Sequence, residues 1–192
     1  EVVAFVEAAG VERGVQPGQL SAEAWFGRFR SSRFLALRDL GLWNVINTVL
    51  GIPLYLALYG AHRRISRGPS ALALALAVAG GAVYAAGNRA LPLLALSDRY
   101  ASAGSRAERS RLAKAGEAML RRGEDFTPSA LPGFVLVELA GLVMGATMLR
   151  SGVFNGWIAW AGLVGTSLLT AFTIVATFFR SAYRQAMVLA IV

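Results

Sequence analysis

Four apolar stretches, roughly 41–60, 71–96, 131–149 and 154–179, take up about half of the chain of 192 residues. A hydrocarbon core about 30 Å thick is crossed by about 20 apolar residues in a helix rising about 1.5 Å per residue. Each stretch meets that length, and in lipid only helices and closed barrels satisfy every backbone donor and acceptor. The sequence therefore predicts an all-α, polytopic transmembrane helical bundle with at least four spans, forming a single membrane domain over 1–192. Composition agrees: 56% hydrophobic and 16% charged residues lie outside the usual soluble balance of about 45–50% and about 25%.

The formal net charge of +8 is almost wholly arginine, with Lys114 the one lysine. In a chain of this kind such charge marks loops facing anionic lipid, so the bilayer is the expected partner and nucleic acid is not. Without cysteine, disulfides, thiolate metal sites and cysteine nucleophiles are excluded. The chain opens on Glu1 and closes inside an apolar run at 186–192, so a longer protein is expected, with a further span beginning there. The Val2-Val3-Ala4-Phe5-Val6 patch follows an acid and lacks the basic start of a signal peptide.

Residues 1–40 read as an extramembrane or interfacial segment. A loop is expected at Gly14-Val15-Gln16-Pro17-Gly18. Ala22, Trp25, Phe26 and Phe29 then recur at helical spacing with Arg28, Arg30 and Arg33 interleaved, which describes a basic aromatic helix over 21–37. It either lies on the membrane surface or caps other loops on the soluble side. Within the first span Pro53 is expected to bend the helix. The second span contains Asn88-Arg89, which either ends it or is buried with partners. Ser105 and Glu108 form a capping box before the apolar stripe Leu112, Ala115, Gly116, Met119 and Leu120. Residues 105–122 are thus an amphipathic connector at the interface, serving as a lid, a docking surface or a linker on the headgroups. Gly141 and Gly145 make a GxxxG step suited to close helix approach. Trp157 and Trp160 fit an aromatic belt, and the short turn from Arg150 to Gly156 makes the last two spans an antiparallel hairpin.

Glu138 is the residue most in need of a reason, because a carboxylate in mid-span costs about 2.5–3.5 kcal/mol even on lenient insertion scales. Arg89 is its sequence-level partner. Counted inward from the loop between spans two and three, the two lie about 12 and about 9 Å deep on the same side. Asn44, Asn47, Asn88, Thr173 and Thr177 fall toward that side as well. The seven residues line a ligand, headgroup or proton site, or they tie helices together. His62, the one histidine, sits in an Arg-rich loop and is expected to face solvent or headgroups. Asp39 and Asp98 are expected to cap helices or to be solvated at span ends. Neither HExxH, GxSxG, a Walker loop nor a carboxylate cluster occurs, so no catalytic residue or metal site is assigned and the cofactor is left unknown.

The runs Gly41-Leu42-Trp43-Asn44-Val45-Ile46-Asn47, Ile52-Pro53-Leu54-Tyr55-Leu56-Ala57-Leu58-Tyr59, Leu96-Ser97-Asp98-Arg99-Tyr100 and Met148-Leu149-Arg150-Ser151-Gly152-Val153-Phe154 resemble the bacterial integral-membrane family called domain of unknown function 4386. That resemblance implies a multi-pass protein of the bacterial inner membrane with about six helices, and it implies no reaction or ligand. In its layout the Arg63-Arg64-Arg67 loop and Arg150 face the cytoplasm. Charge counting runs the other way, with four arginines on that face and fourteen Arg and Lys on the other. Most of the fourteen lie in long segments or an acid-balanced helix, where the positive-inside rule loses force. The expected function is non-catalytic: a structural or accessory subunit of a membrane complex, or a small binding protein. The alternative is a carrier of a small solute or protons working through Glu138 and Arg89. An enzyme acting on lipid ranks third.

Overall fold

A computed structural model describes residues 20–121 and 130–179. Eight helices occur among them: α1 (Ala22–Ser31), α2 (Arg33–Asp39), α3 (Leu42–His62), α4 (Arg67–Gly87), α5 (Ala90–Ser102), α6 (Arg106–Arg121), α7 (Leu131–Ser151) and α8 (Gly156–Phe178). The described residues contain no strand. Four segments are long and apolar enough to cross a membrane, namely α3, the α4–α5 stretch, α7 and α8. The loop at Gly14–Gly18, the end of the connector at Arg122 and the run at 186–192 lie outside the described residues. The helices fall into two compact units, one within Glu1–Leu42 and Arg89–Arg122, the other within Trp43–Asn88 and Gly123–Val192.

The first unit packs around an aromatic core. Trp25, Phe26 and Phe29 are buried with Ala22, Ala36, Leu40, Ala90, Leu93 and Leu120 in one core. The aromatic face of 21–37 is therefore turned against protein. Its helix is also two helices. Ser32 adopts an extended backbone (φ −157°) that ends α1, and its hydroxyl accepts from the Leu35 amide to start α2, as serine does when it competes with the helical backbone. Helix α6 begins where the capping box places it, with the Glu108 amide donating to Ser105 Oγ at 3.1 Å. Its stripe is buried at Leu112, Gly116 and Leu120 and closes this unit. At Gly116 an added Cβ would stand 2.7 Å from Ala22 Cβ and 3.0 Å from Phe26 Cζ, so only glycine lets α6 lie against α1. The Ala22 amide donates to Glu117 Oε1 at 2.7 Å.

Asp39 caps nothing here and is not solvated. Its side chain is 2% exposed, held by Arg28 at 2.6 Å and Arg38 at 2.9 Å, because one arginine from α1 and one from α2 converge on it. Asp98 pairs with Arg33 at 2.9 Å on the surface. Replacing Asp39 by alanine removes the one carboxylate beside a largely covered Arg28. Both arginines keep some solvent, so the expected loss is about 1–2 kcal/mol, below the full cost of breaking a buried pair. Chemical denaturation followed by hydrogen exchange in α1 and α2 measures it.

The second unit is a helix bundle held by small residues. In hydrocarbon no hydrophobic force drives helices together, so close backbone approach has to supply the contact. Gly80 on α4 and Gly133 on α7 do this, since a Cβ at Gly80 would lie 2.8 Å from Val137 Cγ2 and one at Gly133 would lie 3.1 Å from the Tyr84 backbone. Both members of the GxxxG step are used inside the chain: Gly141 faces Thr166 and Gly145 faces Leu163 of α8. Helix α3 continues through Pro53 and meets α4 where Thr48 and Ile52 approach Gly81. Gly152, at φ +64°, terminates α7 in the left-handed region and lets α8 start four residues later, which makes the expected hairpin.

Candidate functional site

Glu138 lies on the α7 face turned to α8 and is buried. Its Oε1 accepts a short hydrogen bond from Thr173 Oγ1. Its Oε2 is buried without a hydrogen-bond partner, and so is Oγ1 of Thr177, one turn further along α8. Thr166, Thr170, Thr173 and Thr177 follow one another at helical spacing and put a row of hydroxyls along one side of α8. Thr166 donates to the Gly162 carbonyl at 2.8 Å and Thr170 to the Thr166 carbonyl at 2.9 Å, and the Thr170 hydroxyl also stands beside the Glu138 carboxyl. Thr173 and Thr170 thus flank the carboxyl, and Thr177 offers an unused hydroxyl.

The other expected residues are distributed differently. Asn44 and Asn47 are exposed on α3, where the Asn44 carbonyl accepts from Thr48 Oγ1 at 2.8 Å. Asn88 is the C-cap of α4, with extended backbone, and Arg89 precedes α5. The pair therefore breaks the second apolar stretch into two helices. Arg89 is 4% exposed and donates through Nη1 to the Leu120 carbonyl at 2.5 Å, at the C-terminal turn of α6, where a cation meets the negative end of the helix dipole. It belongs to the first unit and Glu138 to the second.

His62 overturns its sequence expectation. It is fully buried, its ring centroid lies 5.5 Å from that of Phe154, and Nδ1 is 2.7 Å from the Leu58 carbonyl. A carbonyl only accepts, so Nδ1 carries the proton. Nε2 is buried without a partner. The reason is packing: as the last residue of α3 it turns inward against the α7–α8 connection instead of outward with its arginine neighbours. The sequence also passed over Thr166 and Thr170, although their four-, three- and four-residue spacing with Thr173 and Thr177 was available as a signal. Among the described residues no group of three or more His, Cys, Asp and Glu is placed to hold a metal ion.

The model of one family, Domain of unknown function (DUF4386), matches residues 11–192. The chain belongs to the DUF4386 family. No curated protein and no solved structure matches it. The DUF4386 description names no reaction, so the chemistry of this member rests on its own residues. In this DUF4386 chain Glu138 is joined to an expected site residue by its bond with Thr173, and Thr177 lies a turn away. A buried carboxyl with one oxygen satisfied and one open accepts a proton or a small hard cation, and hydroxyl oxygens are suited to complete such a site.

Proposed function

We propose that this protein is a membrane-embedded binding protein, of the bacterial inner membrane, that takes up a proton or a small monovalent cation at Glu138. The observation that carries this reading is the open, buried Oε2 of Glu138 beside the hydroxyl row of α8. A carboxylate kept for helix association alone would have both oxygens met, because an unmet polar atom in a low-dielectric interior costs about 1–3 kcal/mol. A site that exchanges a proton or ion has one oxygen open between occupancies.

The test is infrared difference spectroscopy of the protein in lipid nanodiscs, stepping pH at constant sodium and then sodium at constant pH. A carboxyl band that responds to either step and vanishes in Glu138→Gln is the expected result. Glu138→Gln has the same size and can still accept from Thr173, so it is expected to fold with a stability change within about 1 kcal/mol. A carboxyl band inert to both steps overturns the reading.

A second reading, a carrier of a small solute or protons with Glu138 as its ion-binding group, draws on the helix break at Asn88-Arg89. Interrupted membrane helices recur at transport sites, where their free ends and unwound backbone meet the substrate. Proteoliposome flux that is lost in both Glu138→Gln and Arg89→Gln supports it, and flux unchanged in both removes it. An accessory-subunit role is the competing account. Stoichiometric protein partners after gentle purification from the native membrane would displace ours.

A further inference from the structure

We propose that the end of the second unit carrying Arg63, Arg64, Arg67 and Arg150 is a binding site for the phosphate headgroup of an anionic phospholipid. The helix register brings these residues to one end. Tyr84 packs on Gly133 and Gly80 on Leu136 and Val137, while Ala73 joins Met144 and Met148 in one cluster. Helices α4 and α7 are therefore antiparallel, and continuing that pairing sets Arg67 at the start of α4 level with Arg150 at the end of α7. The ring contact of His62 with Phe154 ties the α3–α4 turn to the α7–α8 turn at the same end.

All four arginines are exposed, and none forms an ion pair with a described residue. The only acidic residue among the described part of this unit is Glu138, which lies in mid-span, so no described residue of the unit neutralises them at this end. In the first unit three arginines, Arg28, Arg33 and Arg38, are matched with Asp39 and Asp98. The first turn of α4 adds uncapped backbone donors, since Ser66 makes no side-chain hydrogen bond there. Trp157 and Trp160 stand beside this face, 82% and 57% exposed, at the depth where indole rings sit among headgroups. Guanidinium groups bind phosphate bidentately, and basic clusters at the ends of membrane helices attract anionic lipid.

Trp157 and Trp160 report on the site directly. In Trp43→Phe protein, reconstituted in mixed vesicles, quenching by brominated phosphatidylglycerol is compared with quenching by brominated phosphatidylcholine. The expected preference for phosphatidylglycerol is about fivefold, falling to near one in R63Q/R64Q/R67Q/R150Q. A variant of equal charge change on α6, R106Q/R111Q/K114Q/R121Q, is expected to retain it, as is Glu138→Gln. A ratio near one in the parent, or equal loss in both quadruple variants, overturns the proposal. Inorganic phosphate, matched in ionic strength with sodium chloride, is expected to leave the preference intact. Its abolition would assign the face to free phosphate and overturn the lipid assignment. Because the substituted residues are exposed and Glu138 is untouched, failure here leaves the Glu138 reading standing, and the reverse holds.

Discussion

Leucine at position 80 is expected to drive α4 away from α7 and to leave little folded protein in the membrane. A Cβ there would meet Val137 Cγ2 at 2.8 Å, the Gly133 carbonyl oxygen at 2.9 Å and Leu136 Cβ at 2.9 Å. A backbone oxygen and a Cβ cannot swing aside as the end of a flexible chain can, so the helices themselves must part. Overpacking costs about 1–3 kcal/mol in ordinary cores. Here the upper end, about 3 kcal/mol or more, is expected, because lipid competes for every apolar surface once the helices part. Gly87→Leu is the control: it sits in the same helix, and an added Cβ there meets nothing within 4 Å. Detergent-induced unfolding in mixed micelles, with size-exclusion recovery, separates the two. Equal recovery of both variants would show that the α4–α7 approach is not what holds the bundle.

Trp25→Ala is expected to cost about 3–5 kcal/mol, the range for emptying a large aromatic site in a packed core. The side chain is fully buried and shares its core with Phe26, Phe29, Leu93 and Leu120, elements from both ends of the unit's sequence. A cavity of that size cannot readily close when α6 is held to α1 at Gly116 and α5 to α2 by the Arg33–Asp98 pair. Phe34→Ala, at a position 73% exposed, is expected to change stability by less than about 0.5 kcal/mol. Hydrogen exchange of α1, α5 and α6 reads the difference. Were Trp25 an anchor in the headgroup layer, its loss would weaken vesicle association and leave exchange in these helices unchanged.

Both outcomes bear on how the two units use similar residues differently. Glycine at 116 admits α6 to an aromatic core built around Trp25, Phe26 and Phe29. Glycines at 80, 133, 141 and 145 admit helices to one another where water is absent on either side of the reaction, and dispersion contacts and a few hydrogen bonds carry the association. The bond from Thr173 to Glu138 belongs to the second kind. Its contribution to holding α7 and α8 and its place in a binding site are separable by experiment, since glutamine preserves the acceptor and removes the ionisable proton.

Several features were legible in the residues taken alone. The four apolar stretches announce membrane-crossing helices because length and apolarity are local properties that lipid selects directly. The Ser105–Glu108 cap fixed the start of α6, since capping involves neighbours three residues apart. The turn between α7 and α8 was readable from its length, and Glu138 and Thr173 stood out because polar atoms in such helices require partners. The seven-residue cluster was less legible, because depth along a helix says nothing of azimuth. Asn44 and Asn47 share a level with other polar groups yet lie on an exposed face of α3.

Only the tertiary structure decided which way each amphipathic face turns. The periodicity of Trp25, Phe26 and Phe29 fits lipid and protein equally well, and Leu93 and Leu120, some seventy to ninety positions away in the sequence, settle it for protein. His62 shares its stretch with three arginines but is drawn inward by Phe154, which follows it by some ninety positions. The GxxxG step names a close contact without naming the partner, and α8 supplies it from within the same chain. Composition and spacing along one helix determine what a segment requires, whereas the partner that meets the requirement is set by which distant segment the bundle places opposite it.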